Sequence, residues 1–206
     1  MSENHITVKG AVIDWRCQGR FNFTSGYGAT RAEHALANYA ALIVPVILYF
    51  FSWRELNWNL WQVGIAAVLT LDMVGGVLTN SLNSMKRFLH TEGNVSNESW
   101  LAQLVRSRFL FPAIHGQLYL VPLFFDIGWS YAFIWYTIMM LSVLLLHFLP
   151  LYLHRPVALL AVMLSIILSD LLPSPIGLTW LAPVFIIKLV LSHGVREEPY
   201  RPKVLV

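Results

Sequence analysis

"LDMVGGVLTNSLNSMKRFLH", residues 71–90, leaves an apolar run carrying a carboxylate, paired glycines, two asparagines, a Lys-Arg pair and a histidine. At about 100° per residue, Asp72, Gly76, Asn80, Asn83, Arg87 and His90 fall within an arc of roughly 80°. Thr79 lies at its margin, while Leu71, Val74, Leu78, Leu82, Met85 and Leu89 lie on or near the opposite, apolar face. The pattern predicts one continuous helix, descending from Asp72 inside a membrane to Arg87 and His90 at the cytoplasmic surface. Gly75 and Gly76 would let another helix approach closely, as small residues do in membrane interfaces. A carboxylate inside a bilayer costs about 2.5–3.5 kcal/mol on insertion scales, so Asp72 needs a partner or a role.

The rest of the chain supports a membrane setting. Its 206 residues are 57% hydrophobic and only 12% charged, against about 25% charged for a soluble domain. Too few charges remain to cover a water-facing surface, and the mean hydropathy is +0.60. The expected fold is an all-α polytopic bundle. Six apolar segments are readable, at 35–51, 58–80, 109–127, 129–149, 156–172 and 177–192. Each is about long enough for a hydrocarbon core of roughly 30 Å. They define a polar N-terminal segment (1–33), a six-helix domain (34–193) with one long loop (81–108), and a C-terminal tail (194–206).

Every Lys and Arg except Arg54 and Lys188 precedes the first segment, joins the second to the third or the fourth to the fifth, or follows the sixth. The positive-inside rule then places both termini in the cytoplasm, in a plasma (inner) membrane, with Trp53, Trp58, Trp61 and Trp129 as an outer aromatic belt. The same rule accounts for the net charge of +3 without nucleic acid. Residues 1–33 show no cleavable signal peptide, so the first apolar helix is expected to act as an uncleaved anchor. Asn94 and Asn97 match the glycosylation pattern, but on the cytoplasmic side. Cys17, the single cysteine, allows no disulfide within the chain and no Cys-based metal motif. No internal repeat supports an inverted-repeat transporter.

A second stripe lies in "RFLFPAIHGQLYLVPLFFD", residues 108–126. Arg108, His115, Tyr119, Pro122 and Asp126 share a face within about 60°. His115 falls at the depth of Asp72, which makes Asp72 and His115 the expected catalytic pair, with Tyr119 beside them. Asn80, Asn83, Arg87, Arg108 and Lys188 are expected to hold a polar or phosphate head group. Lys188 could instead form a buried ion pair with Asp72. His115, His147, His193 and Asp72 supply nitrogen and oxygen ligands suited to a zinc or iron ion. There is no HExxH, P-loop, GxSG elbow or histidine box.

The leading expectation is acid–base or metal-assisted, hydrolase-like chemistry on a lipidic substrate, in a site opening to the cytoplasmic leaflet. One alternative is a small proton-coupled transporter or channel with Asp72 and His115 as relay. Another is a haem b or quinone subunit with His115 and His147 as axial ligands. The expected partners are membrane lipid and either a second copy of the chain or a partner membrane subunit.

Overall fold

The computed structural model describes residues 7–51, 55–91 and 99–202. Trp53, Arg54, Asn94, Asn97 and Lys203 lie outside the described residues. The helices are α1 (Arg31–Tyr39), α2 (Ile43–Phe51), α3 (Leu60–Ser81), α4 (Asn83–His90), α5 (Trp100–Arg106), α6 (Leu110–Ala113), α7 (Val121–Phe124), α8 (Ser130–Phe148), α9 (Leu151–Leu171) and α10 (Leu181–Ile186). The fold is all-α, with short strands confined to the two ends of the chain.

Among the described residues, four helical stretches are long and apolar enough to cross a membrane: Arg31–Phe50, Leu60–Ser81, Ser130–Phe148 and Leu151–Leu171. The first joins α1 to α2 through a 3₁₀ turn, Ala40–Leu42. On α9 the buried residues His154, Ala158, Val162, Ser165 and Ser169 recur every three or four positions, along one face. Leu159, Leu160, Met163, Leu164, Ile166 and Ile167 are exposed on the others. Small or weakly polar groups inward and large apolar groups outward suit a hydrocarbon surround. The core joins Leu69 and Met73 of α3, Trp135 and Met139 of α8, and Leu181 and Phe185 of α10.

The third and sixth apolar segments are shorter than expected, Leu110–Phe124 and Leu181–His193. The third is not one helix. It stops at Ala113, is non-helical over 114–116, and resumes as a 3₁₀ turn (Gln117–Leu120) before α7. Gly116 disfavours helix, and Pro122 cannot donate the backbone bond a continuous helix would need. The single face expected from Arg108 to Asp126 is therefore broken. The sixth passes from α10 into a π-helical segment, Ile187–His193.

Each segment is tied to one end of the bundle. At one end Gln62 Nε2 donates to the Phe124 carbonyl (2.9 Å), and the Trp58 and Phe125 rings meet at 5.4 Å. At the other, Ser81 Oγ donates to Ser192 Oγ at 3.2 Å.

The helix expected over residues 71–90 also breaks. Leu82 is extended (φ −66°, ψ 141°), separating α3 from α4. The cause is tertiary. Glu33, which closes a capping box with Thr30 at the start of α1, also accepts the Ser84 N–H at 3.0 Å. Leu82 turns into an apolar cluster with Ala37, Met85, Phe88, Leu89 and Ala102.

The chain ends fold together around α4. Strands β1 (Thr7–Val8), β2 (Ala11–Ile13) and β5 (Tyr200–Pro202) form an antiparallel sheet, with Val12 opposite Arg201. Buried Asp14 pairs with both Arg16 and Arg201 at 2.9 Å. A hairpin, β3 (Phe21–Asn22) and β4 (Gly26–Tyr27), lies on α4 with Phe21 against Phe88 at 4.7 Å. Gly26 has φ +73°, and a Cβ there would collide with the Ser84 carbonyl.

Lys86 and Arg87, expected at the cytoplasmic surface, are buried. Lys86 Nζ donates to the carbonyls of Ser192 (2.6 Å) and Val195 (2.7 Å), where the last helical segment leaves acceptors without helical partners. Arg87 donates to the carbonyls of Tyr27 and Tyr200, tying the hairpin to the terminal strand.

Candidate functional site

Asp72, on α3, faces the π-helical segment across a cavity of about 450 Å³. Lys188 Nζ donates to Asp72 Oδ1 at 2.7 Å. The Lys188 side chain is 3% exposed and that of Asp72 is 38% exposed, so the ammonium is enclosed while the carboxylate borders the cavity. The other oxygen, Asp72 Oδ2, is shielded and has no hydrogen-bond partner. A shielded acceptor left unsatisfied is costly, and a ligand's donor would satisfy it.

The paired glycines divide their work. A Cβ on Gly76 would collide with the Lys188 stem, which lies across α3 at that point. A Cβ on Gly75 would make only ordinary contact, 3.6 Å from Ala41 Cβ. One helical turn beyond Gly76, Asn80 Nδ2 makes a long 3.5 Å contact with the Lys188 carbonyl, in the segment where the π-helical pattern displaces the backbone acceptors.

His115 lies in the break of the third segment and is buried at the same cavity. Its Nδ1 bonds the Phe111 carbonyl at 2.5 Å, which assigns the ring proton to Nδ1 and leaves Nε2 as the basic nitrogen. The non-helical residues 114–116 lie where the chain lines this cavity. Thr79 and Asn80 from α3, Asn38 from α1 and Thr24 after the hairpin's first strand add neutral polar groups; Leu71, Met85 and Phe111 supply apolar wall.

The cavity thus joins Asp72, Asn80, His115 and Lys188. Other expected site residues lie elsewhere. The Tyr119 ring packs against Phe133 (5.2 Å) and Tyr136 (5.8 Å). Asn83 Oδ1 accepts the Tyr200 N–H at 3.0 Å, and Arg87 holds the terminal lobe as described above. Arg108 and His147 line a separate cavity at the ends of α8 and α9. His193 is fully buried, donates from Nε2 to the Val105 carbonyl at 2.8 Å, and stacks on Phe111 at 4.5 Å.

The expected metal ligands do not converge: among the described residues, no three His, Cys, Asp or Glu side chains gather to hold an ion. His115 and Asp72 share one cavity, His147 borders another, and His193 is engaged in the wall. Isolated His residues on separate helices do not reveal which way each side chain faces, and orientation separates them.

Beside this wall, burial pushes Lys86 down to about 8, against the opposing charge and hydrogen bonding of Glu197. Burial also holds His90 well below its ordinary range, reinforced by the positive charges of Lys86, Arg108 and Arg196 and by His193. Both His90 ring nitrogens are buried without a hydrogen-bond partner. Compared with known protein families, curated proteins and solved structures, the chain finds no match.

Proposed function

We propose that the chain is an integral inner-membrane protein with six crossings and cytoplasmic termini, and that the Asp72–Lys188–His115 cavity performs acid–base chemistry on a lipidic substrate. One observation carries this reading. Two separate departures from α-helix, at residues 114–116 and at Ile187–His193, deliver His115 and Lys188 to the same cavity opposite Asp72. Helix irregularities cost stability and recur at functional sites.

In hydrolysis of an ester or phosphoester, His115 Nε2 takes the proton of the attacking water as general base, the ester C–O or P–O bond breaks, and the imidazolium returns that proton to the departing alkoxide. The enclosed Lys188 ammonium fixes the Asp72 carboxylate at the cavity, and its positive charge favours the negative charge developing on the substrate. The cavity lies on the half of α3 that leads to α4 and the terminal lobe, which supports entry from the cytoplasmic leaflet. The contacts that tie Phe124 to the start of α3 and Ser192 to its end support counting Leu110–Phe124 and Leu181–His193 each as a crossing despite their length. A continuous proton track has less support, because the break at 114–116 divides the stripe that would have formed it.

The test is lipid turnover. Purified protein is reconstituted with a polar lipid extract, and products are followed by mass spectrometry. The expected result is a lipid cleavage product formed by the wild type and reduced at least about a hundredfold in His115→Ala, in the range of general-base loss. Identical lipid profiles with wild type, His115→Ala and protein-free vesicles would overturn the assignment.

A further inference from the structure

A second cavity, of about 310 Å³, lies where α8 ends and α9 begins. Its polar lining is Arg108, His147, His154 and Arg196, and none of the described residues lining it is acidic. Arg108 leads into the third segment, and Arg196 follows the π-helical segment. Three parts of the chain thus bring two guanidinium and two imidazole groups to one hollow.

The histidines differ in setting. His147 is exposed. His154 is buried, and its Nε2 donates to the Leu149 carbonyl at 2.9 Å, while Nδ1 has no partner. The Arg196 guanidinium stands 4.3 Å over the Trp15 ring, which fixes it beside the cavity mouth. The remaining wall is apolar, including Phe109, Leu146 and Leu151. Phe148, Leu151 and Tyr152, at the neighbouring helix ends, are exposed.

We infer that this cavity binds the phosphate of an anionic amphiphile, with its acyl chain lying along the exposed apolar helix ends. Two guanidinium forks offer several donors to a tetrahedral oxyanion, which a single ammonium does not. The apolar wall and rim would leave a small hydrophilic anion without a use for half of the surface. This site is a separate hollow that shares a wall with the Asp72 cavity. Phe111 lines that one and stacks on His193, which immediately precedes Gly194 of this one.

The experiment titrates delipidated full-length protein in neutral detergent with phosphatidic acid, phosphatidylcholine or glycerol phosphate, counting bound ligand by native mass spectrometry. Phosphatidic acid is expected to bind at least about tenfold more tightly than either of the others. Arg108→Gln and His147→Gln, both at exposed positions, are each expected to weaken it by about tenfold, the loss of one charge-assisted hydrogen bond. Arg155→Gln, on α9 but outside the cavity lining, is expected to change nothing. Arg108→Lys keeps the charge and guards against misreading a folding defect; it should retain part of the affinity. Equal binding of glycerol phosphate, equal binding of phosphatidylcholine, unchanged affinity in both cavity variants, or an equal loss in Arg155→Gln would each overturn the inference.

Discussion

Gly76 sets how close the Lys188 stem comes to α3, and its neighbour Gly75 does not. Replacing either by Ala gains about 0.5–1 kcal/mol of helix propensity. Gly76→Ala must in addition displace the flexible Lys188 stem, so its ammonium leaves Asp72. We expect Gly76→Ala to keep a thermal midpoint near wild type while Lys188 becomes open to amine acylation, detected by peptide mass spectrometry. Gly75→Ala should leave Lys188 protected. Labelling of Lys188 to the same extent in both variants would show that the contact is not what positions it. His90 gives a second residue-scale prediction, in pH. The folded chain keeps its imidazole neutral well below the ordinary value of 6.5, whereas the unfolded chain protonates there. Protons therefore favour the unfolded state, and the stability present above 6.5 declines as pH falls. The drop in thermal midpoint between pH 7.5 and pH 5 should be smaller in His90→Leu than in wild type. At this scale the sequence was informative: a lone carboxylate in α3 and a lone lysine in the last apolar segment had few other partners within the apolar segments, and they pair.

Elements were less legible, because their ends are fixed by groups remote in sequence. A helical wheel over residues 71–90 assumes a continuous helix. Glu33, on another helix, ends that continuity by capturing the Ser84 N–H. Asn83 and Arg87 consequently leave the face that carries Asp72 and Asn80. The stretch TNSLNS did contain a local hint, since Asn and Ser favour caps over helix interiors. The π-helical segment has no comparable sequence signal; it shows only in which acceptors Asn80 and Lys86 reach. Lys86 is the element-scale test. Lys86→Met leaves the Ser192 and Val195 carbonyls without their donor, at about 1–3 kcal/mol for a buried unsatisfied group. Its thermal midpoint, followed by tryptophan fluorescence in detergent, should fall by several degrees, about 2–8 °C. Lys86→Arg should recover part of that loss. An unchanged midpoint in Lys86→Met would mean that these carbonyls find other donors.

For the whole molecule, the pairing of β2 with β5 restricts topology more tightly than any charge count. Strands that exchange backbone hydrogen bonds must lie on one side of a membrane, so the crossings between residues 13 and 200 must be even in number. Four crossings and six both satisfy this. Six additionally lets the chain pass from Arg108, near the His147 end of α8, to Phe124, beside the start of α3, without reversing. The same arithmetic places Glu55 on the side opposite the sheet. The prediction uses single cysteines in a Cys17→Ser background, in intact spheroplasts treated with a membrane-impermeant maleimide. Glu55→Cys should label directly, whereas Gln18→Cys and Glu198→Cys should label only after permeabilisation. All three substituted positions are exposed, so protection reports the membrane rather than burial. Direct labelling of Gln18→Cys and Glu198→Cys with protection of Glu55→Cys would invert the orientation and turn the Asp72 cavity toward the outer leaflet. Opposite behaviour of Gln18→Cys and Glu198→Cys would separate the two strands and overturn the even count itself.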